Sequence, residues 1–467
     1  MKYISTRGAS PAIGFLDAVL AGLAPDGGLY VPEAWPQFTR AEMAGFAGRP
    51  YAEVAAEVLA KFAGDSIPRA VIDDMTAKAY ASFSHKAVAP LTQLYDGVWQ
   101  MELFHGPSLA FKDVAMQLLA RLYDHALAAQ GRTMTIIAAT SGDTGGAAVE
   151  AFAGASHARM VVLFPEGRIS EVQRRFMTTA AQDNVRAIAV QGTFDDCQTI
   201  VKAMFQDQDF RKAVDLSGVN SINWARIAAQ SAYYFTAAAA LGAPERPVSF
   251  AVPTGNFGDA FAGFVAKQMG LPIERIIVAT NGNDILARML SQGRYALGNV
   301  MATISPAMDI QIASNFERLY FECVGRDGSD TAEAFSGFAQ TGGFDIPAGA
   351  LATMRQTFTG LGVSEADTAA TIASTHADTG QLIDPHTAVG IYAARTLGTD
   401  HGTTPIVVLA TAHAAKFPEA VEEACGLAPA LPLQAADLAA RPEQFERLPA
   451  DPAVLKAFIR DFAGAAA

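Results

Sequence analysis

The sequence predicts an α/β protein with two parallel-sheet α/β domains, a helical N-terminal region before them and a C-terminal extension after them. Six short runs of apolar and β-branched residues carry that expectation: TIIAAT (135–140), MVVLFP (160–165), VRAIAV (185–190), VSFAVPTG (248–255), RIIVATN (275–281) and PIVVLATA (405–412). Runs apolar at successive positions read as strands covered on both faces, and amphipathic helical patterns between them supply the crossovers that parallel strands need. The first three runs cluster and the last three come later, which divides the chain into two sheet-bearing units.

Residues 1–88 read as a mainly helical domain, because AEMAGFAG and YAEVAAEVLAKFAG space their apolar residues three and four apart. A large α/β domain is expected over 89–130 and 215–426, with a small one inserted over 131–214. Within the large domain, IAAQSAYYFTAAAALGA (227–243) reads as a buried helix, too short and too polar to span a bilayer. SDTAEAFSGFAQTGGFDIPAG (329–349) reads as a mobile or inserted segment. The tail over 427–467, rich in Pro and Ala, reads as a surface wrap.

A chain of 467 residues with 51% apolar and 17% charged content can bury its own core without disulfides or metal. Lys and Arg number 34 against 47 Asp and Glu, a net charge of −13 that opposes nucleic acid and anionic membranes as partners. A small anionic substrate remains compatible, since one pocket can oppose the global sign. Cys197, Cys323 and Cys425 are odd in number and far apart, which fits a reducing compartment. MKYISTRGAS lacks the apolar core of a signal peptide, so a cytoplasmic location is expected. No obligate protein partner is evident. His105, His376, His386, His401 and His413 show no zinc-ligand spacing, so no metal is expected, and no GxSxG elbow offers a serine nucleophile.

Ligands collect at the C-terminal ends of parallel strands, so the loops there are the informative ones. TIIAAT runs into Ser141-Gly142-Asp143-Thr144-Gly145-Gly146 and then a helical pattern. Backbone N–H groups freed by glycine, together with the helix's positive end, make an anion site; a Ser or Asp cap on a tight turn is the structural alternative. VSFAVPTG runs into Gly255-Asn256-Phe257-Gly258-Asp259, a second such loop with no Lys or Arg, where backbone donors alone would hold a phosphate. Asp259 is an awkward neighbour for an anion and is expected to point away. PIVVLATA ends at Thr411, with His413 and Lys416 just beyond, and a capping role is the plainer reading of that threonine. In SINWARIAAQ, Asn223, Arg226 and Gln230 share one face of an otherwise apolar helix. That stripe is a solvated face, a set of satisfied core groups, or a phosphate site built on the arginine.

One lysine, Lys112, stands in the apolar run after Gly106-Pro107-Ser108 in FHGPSLAFKDVAMQLLARL. An exposed lysine at a helix start would be ordinary. A lysine held between two anion loops instead has the parts that pyridoxal phosphate chemistry uses: a nucleophilic amine, a cradle for the cofactor phosphate and a cradle for a substrate carboxylate. Burial and a helix N-terminus both lower such an amine's pKa from about 10.4.

GPSLAFKD, ATSGDTGGAA, SINWARIAAQ, PTGNFGDAFAG, ATNGNDIL, SPAMDIQIASNFERLYF, IDPHTAVG and ATAHAAKF occur in this order, and the chain resembles the threonine synthase family, in its longer bacterial and fungal form, over essentially its whole length. The resemblance implies a fold type II pyridoxal phosphate enzyme, of the tryptophan synthase β family, that converts O-phospho-L-homoserine and water to L-threonine and phosphate. By similarity Lys112 is the lysine that bonds the cofactor, Gly255, Asn256, Phe257, Gly258 and Asp259 form the cofactor phosphate loop, and Thr411 faces the pyridine nitrogen. Ser141, Gly142, Asp143 and Thr144 match the loop around the substrate carboxylate. Ser108, Asn223, Arg226, Asn281 and Asn283 sit in motifs near the substrate phosphate. The residues alone leave open a dehydratase or phospholyase on the same machinery, and a cofactor-binding protein without turnover.

Overall fold

The computed structural model describes residues 1–140, 142–398 and 403–464; Ser141 and His401, both singled out above, lie outside them. All six expected runs form parallel strands. The larger sheet has the order Phe358–Gly362, Ile273–Thr280, Val248–Pro253, Ile406–Ala410, Val98–Glu102, Leu91–Tyr95, and only the last strand runs antiparallel to its neighbour. The smaller sheet is wholly parallel, in the order Glu446–Pro449, Val185–Gln191, Ala158–Pro165, Met134–Ala139, Leu216–Ser217. Val248–Pro253 and Ile406–Ala410 are buried at every position, as strands covered on both faces must be.

The structure departs from the sequence reading in four places. Residues 1–88 contain the helix pair Tyr51–Ala63 and Arg69–Tyr80, but also a three-stranded antiparallel sheet of Ile13–Gly14, Lys2–Ser5 and Tyr30–Pro32. Strands of two to four residues carry too little alternation to register as a pattern. The small sheet reaches one strand past 215, at Leu216–Ser217. The Gly- and Ala-rich segment is ordered as the helix Gly328–Thr341, capped by Asp327, whose Oδ1 accepts from the N–H groups of Ser329 (2.9 Å) and Asp330 (3.0 Å). The tail does more than wrap. Glu446–Pro449 pairs with Val185–Gln191, and the helix Pro452–Ala463 drives Leu455 and Ile459 into the core under the small sheet, beside Ile188 and Val190.

The helix Trp224–Ala240, expected to be buried, crosses the middle of the main core. None of the helices among the described residues is long and apolar enough to cross a membrane.

Candidate active site

A cavity of about 960 Å³ opens between the two sheets, at the C-terminal ends of Met134–Ala139, Val248–Pro253 and Ile406–Ala410. Its walls include Lys112, Asp143, Thr144, Arg226, the whole run Gly255–Asp259 and Thr411.

Lys112 is the first residue of the helix Lys112–Gln130, and local chemistry fixes the turn that leads to it. Asp113 accepts from Ser108 twice, Oδ2 from the backbone N–H (2.8 Å) and Oδ1 from the hydroxyl (2.6 Å). The same turn is stitched to the end of Ile406–Ala410. Phe111 N–H donates to Thr411 O (2.8 Å), His413 N–H donates to Leu109 O (3.1 Å), and Ala110 bridges Ala412. Leu109 takes a left-handed φ of 60° to make that connection. Residues 112 and 411, far apart in sequence, are therefore set side by side by backbone pairing.

Lys112 Nζ lies 3.8 Å from Asp143 Oδ2 and 4.7 Å from the centre of the Phe111 ring, with its side chain 12% exposed. Burial lowers its pKa; Asp143 opposes that, and the positive charges of Lys416 and Arg226 add to it. The helix N-terminus acts in the same direction. Asp143 opens the helix Asp143–Phe152. Burial works against its charged form, but Lys416 and Lys112 overcome that and hold the carboxyl well below its ordinary range. Gly142 before it has φ 142°, and a Cβ there would come within 2.4 Å of the Gln173 side chain.

Gly255–Asp259 joins Val248–Pro253 to the helix Gly258–Gln268, with Phe257 at the cap in a left-handed conformation (φ 62°). A Cβ on Gly255 would stand 2.9 Å from Ala307 O, so the loop is seated tightly against 306–310. Asp259 does point away as expected. Its Oδ1 accepts from the hydroxyls of Tyr233 and Tyr234, and burial pushes the carboxyl up to about 6. The loop is gripped from behind by Asn315, whose backbone N–H and Nδ2 both donate to Asn256 O (3.1 Å each). Asn315 in turn accepts from Arg318 Nη1, while Arg318 Nε reaches Tyr30 O (3.1 Å) and Nη2 reaches Ile222 O (2.6 Å). Arg318→Met strands three buried acceptors at once. It should lower the unfolding free energy by about 3 kcal/mol, measured by urea denaturation.

Arg226 is 4% exposed, and burial pushes its guanidinium down to about 10 against Tyr233 and Asp259, so it stays charged at neutral pH. Its one hydrogen bond among the described residues is Nη1 to Val219 O (3.3 Å). Nε has no partner, and no described carboxylate lies within ion-pair distance. A buried arginine so under-used keeps donors free for an oxyanion.

Five expected site residues do not line the cavity. Ser108 gives its hydroxyl to Asp113, and Gly142 N–H donates to Thr140 Oγ1 (3.0 Å). Asn223 is the cap of Trp224–Ala240: its Oδ1 accepts from Ala225 N–H (2.9 Å), and its Nδ2 donates to Val19 O (2.7 Å). Asn281 and Asn283 brace the 299–311 wall through Asp309 Oδ1, at 2.8 and 3.0 Å. An amide that caps or braces uses the same atoms as one that binds ligand, so sequence could not separate the two roles. Conversely, Lys416 and Gln173 on Asp143, and His386 in the cavity wall, were not assigned. His386 sits in IDPHTAVG with Nδ1 2.7 Å from Asp384 Oδ2 and Nε2 accepting from Ala307 N–H (3.2 Å), which fixes the tautomer.

Comparison with known proteins agrees with this geometry. Residues 2–80 match the model for the threonine synthase N terminus, 88–354 that for pyridoxal-phosphate dependent enzymes, and 387–459 that for the threonine synthase C-terminal region. The chain is 51% identical to the threonine synthase of Pseudomonas aeruginosa, over 98% of both chains. It is 42% identical to that of Corynebacterium glutamicum, over 99% of this chain and 98% of the other. The solved structure of PLP-bound threonine synthase from Brucella melitensis superposes with a TM-score of 0.98 at 53% identity, covering 100% of both chains. That of the yeast threonine synthase gives 0.94 at 36% identity, covering 99% of both. With family-model matches reaching from residue 2 to residue 459 and with more than half of its residues shared with full-length relatives, the chain belongs to the threonine synthase family of pyridoxal-phosphate-dependent enzymes.

Proposed function

We propose that the chain converts O-phospho-L-homoserine and water to L-threonine and phosphate. The observation that carries this reading is one cavity holding a buried lysine, a helix-start loop free of side-chain cations, and a buried arginine with unmet donors. That is one amine for the cofactor and one oxyanion site for each of the two phosphates that a phosphorylated amino acid and a phosphorylated cofactor bring. The residues fit pyridoxal phosphate: the Gly258–Gln268 helix start supports a phosphate through backbone donors and dipole, and the nearest carboxylate, Asp259, is turned to two tyrosines.

Pyridoxal phosphate, when bound, supplies a conjugated ring that accepts electron density from the substrate's carbons. Lys112 Nζ, whose pKa burial lowers, would hold the cofactor at rest and would take and return protons at the substrate's carbon atoms. The N–H groups of Asp143 and Thr144, at the start of their helix, orient the amino acid's carboxylate, and Lys416 neutralises the Asp143 side chain that would repel it. Arg226 holds the phosphate that leaves. Thr411, in the cavity wall, would offer a neutral hydroxyl to the ring nitrogen, which would keep the electron sink shallow and favour elimination over transamination. A cytoplasmic location fits three cysteines that all stand free.

Incubation with O-phosphohomoserine should release phosphate and threonine in equal amounts; a 2-oxo acid in place of threonine would overturn the reading in favour of a phospholyase. Thr411→Asp would keep the ring nitrogen protonated and deepen the sink. It should cut kcat for threonine by about tenfold, about 1.4 kcal/mol in the barrier, with amino transfer to the cofactor appearing in the absorbance spectrum.

A further inference from the structure

Lys416 is 1% exposed, in the short turn Ala414–Lys416 that follows Ile406–Ala410. Its Nζ donates to Ser108 O (2.7 Å) and pairs with Asp143 Oδ1 (2.8 Å). Gln173 Nε2 donates to the same oxygen (3.0 Å). Asp143 Oδ2 faces Lys112 Nζ at 3.8 Å, too long for a hydrogen bond. One carboxylate thus stands between two buried lysines and is bonded to only one of them.

We infer that Lys416 is a positioning residue for the reacting amine: it claims the Asp143 carboxylate and so leaves Lys112 without a counter-ion of its own. Among the described residues, the other charged groups around Lys112 do not supply one. Asp113, on the same helix, accepts from Ser108, and Asp259, on the helix Gly258–Gln268, accepts from Tyr233 and Tyr234. Arg226, on Trp224–Ala240, carries the same sign as Lys112, and His386, on Pro385–Leu397, acts on Asp143. Without Lys416, the cation left beside Asp143 is Lys112, and the pair would close into an ordinary salt bridge with the amine protonated. Ser108, expected at the substrate, takes its part here instead, because its carbonyl orients Lys416.

The inference rests on Lys112 being the reacting amine, but its test reads ionisation rather than turnover. The full-length chain freed of cofactor is acylated with trace acetic anhydride across a pH series, and the Lys112 peptide is quantified by mass spectrometry. Lys416→Met should move the midpoint for Lys112 upward by about one unit or more, seen as roughly tenfold slower labelling at a fixed pH below it. Lys416→Gln, which keeps a donor and lacks the charge, should do the same and serves if the methionine variant does not fold. Lys416→Arg should label like the parent, and Asp143→Asn placed on Lys416→Met should reverse the shift. An unchanged midpoint in either uncharged variant overturns the inference, as does a shift that Asp143→Asn fails to reverse. A parent chain that makes no threonine while these shifts appear would remove the proposed reaction and leave the inference standing.

Discussion

Lys112→Ala is expected to lower threonine formation by about 10⁴-fold or more, the upper range for a single proton-transfer group, because in the proposed reaction one amine both bonds the cofactor and carries the protons. The protein should also lose its yellow colour. Stability moves the other way. Lys112 has a lowered pKa, so between its folded and unfolded values the unfolded chain binds the extra proton and stability rises with pH. Below the folded value the burial penalty is fully present, and above the unfolded value it is gone. Alanine removes that penalty at neutral pH, so thermal unfolding of the cofactor-free variant should occur at or above the parent's temperature. A functional residue that opposes folding has this signature. Undiminished turnover and colour, or a large drop in melting temperature, would make Lys112 a structural residue.

Arg226→Ala should raise KM for the phosphorylated substrate by about a hundredfold, equivalent to about 3 kcal/mol for the loss of charge-assisted hydrogen bonds. Its lone contact to Val219 O means that little internal bonding is lost with it. Cofactor retention on dialysis should be unchanged, and inorganic phosphate should compete more weakly with substrate. Loss of cofactor at unchanged KM would reassign Arg226 to the cofactor's phosphate and overturn its placement at the substrate.

The strands that were legible in the sequence are those buried on both faces, such as MVVLFP, where continuous apolar content leaves no other reading. Glu446–Pro449 was not legible: ERLP is half charged and is a strand only because Val185–Gln191 offers it an edge. Phe358–Gly362 has two glycines in five residues and depends likewise on its neighbour. At the site, the glycine loops could be read because the helix starts they form lie in their own backbone. Lys416 could not, since its meaning arises from Asp143 and Ser108, which the fold brings to it from distant parts of the chain. The capping role of Asn223 was not legible for the converse reason, because its partner is its own helix.

The C-terminal strand and helix also constrain how this molecule is made. Leu455 and Ile459 belong to the same buried cluster as Ile188 and Val190, so the inserted unit cannot finish its interior while those residues are still within the ribosome. Glu446–Pro449 must emerge before the edge of Val185–Gln191 is paired, and until then the nascent polypeptide carries an open, apolar sheet edge that a chaperone can bind.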